Sequence, residues 1–571
     1  MTASAVSFLS LLLWAAAPLP APPKPSPLER AMKDELSRSV EKLQLENLDR
    51  PYFISYRVVE RRDQFVQATF GSTLNRGEWR RRMLTVEVRV GSMALDNTNF
   101  LSGSFSLGGD STVELPVDDD YTELRRQIWL ATDGAYKAAV ESFAKKKAAL
   151  QNKTRTDETP DFSPEEPRSS TDMRPGTPLD MAKTEALVRE LSAVFKEAPA
   201  VATSQVSCSA ADELTRYLNS EGTSFARETF LVHIDATAAT QAADGFTLGD
   251  HMLVFRRSFD ELPPKAELLA EVRKLSSHLS SLKDAPMMDQ YNGPVLFEDQ
   301  AAAEIFAQVF APRLAAKKRP VAENTQSEGA AAARENPFVD KIGARVLPDF
   351  LSVVDDGTVS EIGGAPLFGD ARVDDEGVAT RPVKLVEGGR LKTLLVSRAP
   401  VRGIPKSTGS FQELGPMPRN VIVSVEEGLD RAALEAELLK LARARGNDFG
   451  IVVRKMSDPI MGGFHSMSGP SGGEGVRVEP VILAYKVFSD GHEELLRNVE
   501  IAGMNATLFR DIAAAGKEQV VTTLPFRTAE SPSPQVVSFA IPSLLFEDVT
   551  LRKPGGEIPK PQVAKHPFFD R

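Results

Sequence analysis

The sequence predicts an α+β protein, with an N-terminal α/β domain followed by a larger β-rich C-terminal domain. Three observations predict it. Apolar residues in the first half switch between helical spacing and strict alternation. Beyond about residue 337 the chain is mostly strands and turns, with one good helix. Two polar, low-complexity stretches interrupt the pattern. At 571 residues the chain is too long for one core, and its 42% apolar and 26% charged content is that of an ordinary globular protein.

Residues 6–17 (VSFLSLLLWAAA) are a short apolar run followed by small residues and prolines. The run is shorter than the ~20 residues a spanning helix needs and fits the hydrophobic region of a secretory signal. No Lys or Arg precedes it, and Pro22 and Pro23 disfavour cleavage directly after Ala21. A buried N-terminal helix is the alternative. The reading is export to the periplasm or the extracellular space, with residues 1–25 as signal peptide and no membrane span once it is removed.

Residues 26–285 read as the N-terminal domain. Ser26-Pro27 supplies a cap and a first-turn proline, and Leu28, Met32, Leu36, Val40 and Leu43 then share one helical face. Tyr52, Ile54, Tyr56 and Val58, and later Leu84, Val86, Val88 and Val90, alternate with more polar neighbours as strands with one covered face do. A helix is expected over residues 122–150. Residues 151–178, with five prolines and few apolar side chains, read as a flexible loop. A helix over 179–196 follows, then a strand-rich stretch through Tyr217, Phe230 and Phe246. Leu268, Val272, Leu275, Leu279 and Leu282 make another amphipathic helix, with His278 beside its apolar face. Cys208 is the only cysteine, which excludes an intrachain disulfide and any Cys-rich zinc site; its neighbours suggest a buried strand position.

Residues 286–555 read as the C-terminal domain, with a low-complexity insert at 315–336 and a tail at 556–571. Its one good helix carries Leu434, Leu438 and Leu441 in phase and ends near Gly446. A net charge of −11 argues against a nucleic-acid partner, and the basic clusters at 80–82, 145–147 and 317–319 read as solvated charge.

No familiar catalytic motif survives inspection. The six histidines are His233, His251, His278, His465, His492 and His566, and no two lie three or four apart. His492-Glu493 lacks a second His at position 496, where Leu496 stands, and follows the turn pair Asp490-Gly491. Gly469-Pro470-Ser471-Gly472-Gly473 fits G-x-S-x-G formally but lies in a Gly/Ser-rich loop without the required strand and helix. There is no phosphate-binding loop. A metal site from scattered residues would need some of His233, His251 and His465 to converge with carboxylates.

One resemblance covers what these motifs leave unexplained. Phe338-Val339-Asp340-Lys341-Ile342-Gly343, Val353-Val354-Asp355-Asp356-Gly357-Thr358 and Val373-Asp374-Asp375-Glu376-Gly377 occur in sequence. They are followed by the strand pair at 383–392, Lys406-Ser407-Thr408-Gly409 and Pro416-Met417-Pro418-Arg419-Asn420. In order and spacing they resemble successive blocks of the TldD/PmbA metallopeptidase family, as does Leu218-Asn219-Ser220-Glu221-Gly222 upstream. The similarity spans roughly residues 200–550 and is weaker in the N-terminal domain. Physically the blocks are turns, Asp-Asp-Gly and Glu-Gly-Gly supplying positive-φ positions between strands.

The resemblance implies a peptide-handling cleft on the C-terminal sheet. Catalytic relatives place H-E-x-x-x-H at a strand-to-helix junction and a Cys near the C-terminus, binding zinc through the two His and the Cys with the Glu as general base. Here the junction reads Gly293-Pro294-Val295-Leu296-Phe297-Glu298-Asp299-Gln300-Ala301-Ala302, so Phe297 and Ala302 replace the His, and 524–551 holds no Cys. Only Glu298 matches, as a remnant of the general base or as a helix-start carboxylate that, with Asp299, complements the helix dipole. The second reading is preferred. The Gly-Pro-Val-Leu-Phe junction is similar to the PmbA (TldE) branch, which implies a zinc-free subunit paired with a catalytic one. Ser410-Phe411 departs from the family pattern, in which polar or basic residues are common.

The function expected from sequence is therefore an exported, zinc-free, peptide-binding partner of a TldD-type peptidase, with no cofactor. Self-association, and a peptide or unfolded-protein segment as ligand, are compatible with it. The alternatives are an active metallopeptidase with other ligands and a stand-alone peptide-binding scaffold.

Overall fold

The computed structural model describes residues 25–102, 110–151, 157–333, 335–457, 478–528, 531–555 and 560. Residues 1–24 of the expected signal peptide, His465, the Gly469–Gly473 stretch, His566 and nearly all of the tail lie outside them.

The first half is an eight-stranded sheet with helices on one face. Helix α1 (Pro27–Lys42) opens with the Ser26–Glu29 capping box. Two long strands follow, β1 (Pro51–Thr69) and β2 (Ser72–Ser92), then β3 (Asp110–Leu115) and helix α2 (Tyr121–Gln151). After β4 (Ser169–Met173) and α3 (Met181–Ala193) come β5 (Thr203–Asn219), β6 (Ser224–Gln241), β7 (Thr247–Arg256) and α4 (Lys265–Asp284). The path across the sheet is β2–β1–β5–β6–β4, with the short strand Leu95–Asp96 and β3 on β2 and β7 on β6. All pairings are antiparallel except β4 on β6.

Period-two alternation puts Tyr56, Val58, Val66 and Ala68 of β1 on one face, yet two separate helix pairs cover them. Helices α1 and α2 close over Tyr56, Val58, Leu84 and Val86. Helices α3 and α4 close over Val66, Ala68, Cys208 and Val232. The Glu60–Gln64 section of β1 lies between the two clusters.

The second half is an eleven-stranded sheet. Its elements are β8 (Gln290–Phe297), α5 (Gln300–Ile305), α6 (Thr325–Ala333), β9 (Leu351–Asp355), β10 (Val383–Glu387), β11 (Asn420–Val425) and α7 (Arg431–Ala444). Then follow β12 (Phe449–Met456), β13 (Val481–Phe488), β14 (Glu493–Leu496), β15 (Ile512–Thr528) and β16 (Ser531–Arg552). The order is β10–β9–β11–β16–β8–β12–β13–β14, with Arg390–Leu391 beyond β10 and with β15 and Glu500–Ala502 also on β16. Helix α7 has its three leucines in phase, and Gly446 follows it at φ 81°.

Several sequence readings need correction. Residues 157–178, expected as part of a flexible loop, are docked: β4 pairs with β6, Phe162 is buried, and Asp161 binds Lys146 (2.6 Å) and Lys318 (2.7 Å). Few apolar side chains suffice because buried ion pairs and one aromatic ring anchor the segment. The low-complexity insert at 315–336 forms a short strand and α6, whose Ala331 packs on Leu101 and Ala322. The basic clusters are not wholly solvated either, since Arg82 and Lys146 are buried and Lys318 nearly so, each in an ion pair. Finally, Gly388 and Gly389 do take positive φ in the β10 hairpin, but Gly357 does not; a Cβ there would come within 2.5 Å of Arg419 and Thr380.

Candidate functional site

The strand-to-helix junction is built by β8, a central strand of the second sheet that pairs with β12 on one side and β16 on the other. Phe297, the last residue of β8, is fully buried and meets Phe546 edge to face at 5.5 Å. Phe546 in turn meets Phe509 at 5.1 Å, and Phe509 meets Phe310 at the same separation. Ala302 on α5 is equally buried in this cluster. Both positions are therefore filled as hydrophobic core.

The chain reverses at Asp299, whose φ of 48° lies in the left-handed region, and its carboxylate makes no helix cap. Glu298 is buried, and one carboxylate oxygen accepts from Arg454 Nε at 2.9 Å and Arg431 Nη2 at 3.0 Å. Arg454 is itself held by Glu493 through two bonds of 2.8 and 2.6 Å. Burial raises the Glu298 carboxyl above its ordinary range in spite of both guanidinia. The preferred reading of Glu298 as a helix-dipole carboxylate thus gives way to one in which two arginines orient it. Nearby, Glu304 accepts from the Met456 backbone at 2.7 Å and from Gln300 at 2.9 Å, tying α5 to β12.

This donor set does not fit a zinc ion. The junction offers the carboxylates of Glu298 and Glu304, both already engaged, and that of Asp299, but neither nitrogen nor sulfur donors where Phe297 and Ala302 stand. His233 and His251 lie on adjacent strands, but Thr237, four residues beyond His233, is the partner of His251. Burial lowers both imidazoles to about 4. No group of three His, Cys, Asp or Glu able to hold a metal occurs among the described residues. His278 bonds Asp250 at 3.0 Å, and Glu493 of the His492-Glu493 pair serves Arg454.

Sequence reasoning read Asp374-Asp375-Glu376 as a turn. In the structure Asp375 also locks the two halves together: it accepts from Arg57 at 3.2 Å and Arg227 at 2.5 Å, both on the first sheet, and from the Glu413 backbone at 2.8 Å. Burial opposes its charge, but the two guanidinia hold its carboxyl well below the usual range. Arg398 repeats the device, donating to Glu221 at 2.7 Å and to the Ser163 carbonyl at 2.7 Å while lying 3.9 Å over the Phe162 ring. Lys455 and His278 converge on Asp250 at 2.6 and 3.0 Å. No sequence signal marks these partners, because they are far apart along the chain.

A cavity of about 450 Å³ opens between the halves, lined by Asn99, Lys146 and Asp157 on one side and Lys317, Arg319 and Arg402 on the other. Asp161, Glu328, Glu335 and Asp340 also line it, so its charge is close to balanced. No helix among the described residues is long and apolar enough to cross a membrane.

Residues 290–553 match a family described as the PmbA/TldA metallopeptidase C-terminal domain. Over 64 residues the chain is 42% identical to a metalloprotease of Methanocaldococcus jannaschii, a match covering 11% of this chain and only 13% of that relative's length. Its fold is similar to a candidate modulator of a DNA gyrase from Thermotoga maritima (TM-score 0.59, 15% identity, 91% of this chain and 99% of the other). It is likewise similar to TldE from Thermococcus kodakarensis (TM-score 0.56, 16% identity, 91% and 99%). At these identities the solved structures speak for the fold alone.

Proposed function

The C-terminal domain of this chain is of the PmbA/TldD metallopeptidase family, and on that premise we propose that the protein is an exported, zinc-free, peptide-binding partner of a catalytic TldD-type peptidase. One observation carries the reading: Phe297 and Ala302 are packed as core at the junction, and the remaining Glu298 is taken up by Arg454 and Arg431. With its accepting oxygen taken up by two guanidinia and no zinc donor at positions 297 and 302, Glu298 has no metal-bound water to activate. The similarity of the Gly293–Phe297 junction to the PmbA (TldE) branch supports a paired subunit, and the likeness to a TldE fold is consistent with it. The charge-balanced cavity between the halves suits a polypeptide segment better than a polyanion. The apolar run at 6–17 supports export, with the mature chain beginning between residues 17 and 25.

The test is affinity purification from the native host, followed by metal and peptidase assays. The chain alone should hold no stoichiometric zinc and cleave no peptide, and a TldD-type chain should come down with it. Glu298→Gln should leave metal content and any partner-dependent activity essentially unchanged. Stoichiometric metal in the isolated chain, lost together with peptidase activity on chelation, would make it an enzyme. Recovery without any TldD-type chain would favour a scaffold. N-terminal sequencing of native protein that still reads Met1 would remove export.

A further inference from the structure

The gap between the two helix pairs on the first sheet is a second candidate site. Two cross-strand rows of side chains lie in it, because directly opposed residues of a sheet point to the same face. One row runs Arg80 on β2, Arg62 on β1, Asp212 on β5 and Phe230 on β6; the next runs Arg82, Glu60, Leu214 and Glu228. Helices α1 and α2 stand beyond the second row, and on the other side Gln64, bonded to the Leu179 backbone at 2.7 Å, marks the approach to α3. The space between is a cavity of about 260 Å³.

Most charges in it are already paired. Arg62 binds Glu78 through bonds of 2.8 and 2.9 Å, Arg82 binds Glu60 and Asp119, and Arg216 also reaches Glu60. On the opposite face of β1, Arg61 is held by Asp63 and Glu213. Four groups are left over. The carboxylates of Asp212 and Glu228 make no hydrogen bond or ion pair among the described residues, and one Asp212 oxygen is completely buried without a partner. Arg80 is exposed and, among the described residues, its guanidinium makes no hydrogen bond or close ion pair, though its charge acts on Asp212 and Glu78. The Nε of Arg82, a residue only 5% exposed, is a buried donor with no acceptor.

The unsatisfied Asp212 oxygen and Arg82 Nε, on residues that line one cavity, each cost roughly 1–3 kcal/mol. They sit on strands two apart, so the acidic and basic ends are separated by about 10 Å between backbones, a span that the Arg and Asp side chains shorten. The cavity falls just below the ~300–1,000 Å³ typical of drug-sized ligands. We propose that this groove binds a small zwitterion, its ammonium held by Asp212 and Glu228 and its carboxylate by Arg80. That chemistry is shared by a free amino acid and by a very short peptide. Burial, joined for Glu228 by repulsion from Asp212, raises both carboxyls, although Arg62 and Arg80 act to lower Asp212 and Arg216 to lower Glu228.

The site is distinct from the junction at Glu298, so its fate does not depend on whether the chain holds zinc. The experiment is calorimetric titration and thermal shift on the full chain with L-alanine, L-alanyl-L-alanine, N-acetyl-L-alanine and L-alanine amide. At least one of the two zwitterions should bind, and which one does identifies the source. Each singly blocked compound should bind at least tenfold more weakly, as should the zwitterion to Asp212→Asn or Arg80→Ala. Because the buried Asp212 oxygen has no partner, Asp212→Asn should not lower the melting temperature of the ligand-free chain, which shows that the variant is folded. Binding by neither zwitterion, equal binding of the blocked compounds, or unaltered binding by a folded Asp212→Asn would overturn the proposal.

Discussion

Asp375→Asn should weaken the protein more than any other single charge removal at the contact between the halves. The native carboxylate is 9% exposed and meets two guanidinia that are themselves 12% and 14% exposed. Asn keeps the shape but not the charge, so Arg57 and Arg227 are left with no full anionic partner. Removing one member of a buried ion pair costs about 3–5 kcal/mol, and the amide nitrogen, which would face a guanidinium in one of its two orientations, places the change toward the upper end. The assay is equilibrium urea unfolding followed by far-UV circular dichroism, which reads the loss of both sheets. The sign with pH follows from the depressed carboxyl. Its contribution is fully present above the unfolded aspartate value of about 3.9 and is lost as pH falls from there toward the lower folded value. The difference between wild type and variant should hold from pH 8 to about 4 and close below it. A difference under about 1 kcal/mol at pH 7, or one that drifts between pH 5 and 8, would refute the reasoning. As a control, Glu387→Gln, an exposed carboxylate beside Lys384 and Lys392, should leave the midpoint where it is.

Three further outcomes follow from the packing. Phe162→Ala should destabilise by about 3–5 kcal/mol and turn residues 157–178 into the first site of limited proteolysis, whereas in the wild-type chain that stretch should resist cutting. Gly389→Ala should lower expression or the melting temperature sharply, because φ is 71° and a Cβ would sit 2.3 Å from the Leu347 carbonyl oxygen; a variant as stable as wild type would contradict the hairpin geometry. Burial raises the Cys208 thiol to about 12, so a thiol reagent at pH 8 should label it only in denaturant.

Elements with a strong local period were legible in the sequence. The helices starting at Pro27 and Arg431 and the alternating strands around Tyr56 and Val86 carry their own burial pattern, and the turn at Gly388-Gly389 its own chemistry. What could not be read was long-range charge pairing. Glu298 finds its partners 133 and 156 residues away, and Arg57 reaches Asp375 across 318. The same blindness explains the misreading of residues 157–178: Asp161 counted as a polar loop residue until Lys146 and Lys318 were brought to it by the fold. At the candidate site, the replacement of both His was visible at once, but the two arginines that claim the remaining carboxylate were not.

The position of β16 sets a timetable. This strand, formed by residues 531–552, lies between β11 and β8 and also carries β15, so it joins parts of the second sheet that were made more than a hundred residues earlier. Until residue 552 has left the ribosome, β8 and β11 lack the strand that lies between them, and their apolar residues stay open to other contacts. Pairings of such long sequence separation close slowly, and a half-made sheet with open edges is prone to aggregate. The nascent chain therefore spends most of its synthesis without a finished second sheet, dependent on whatever shields it in the interval.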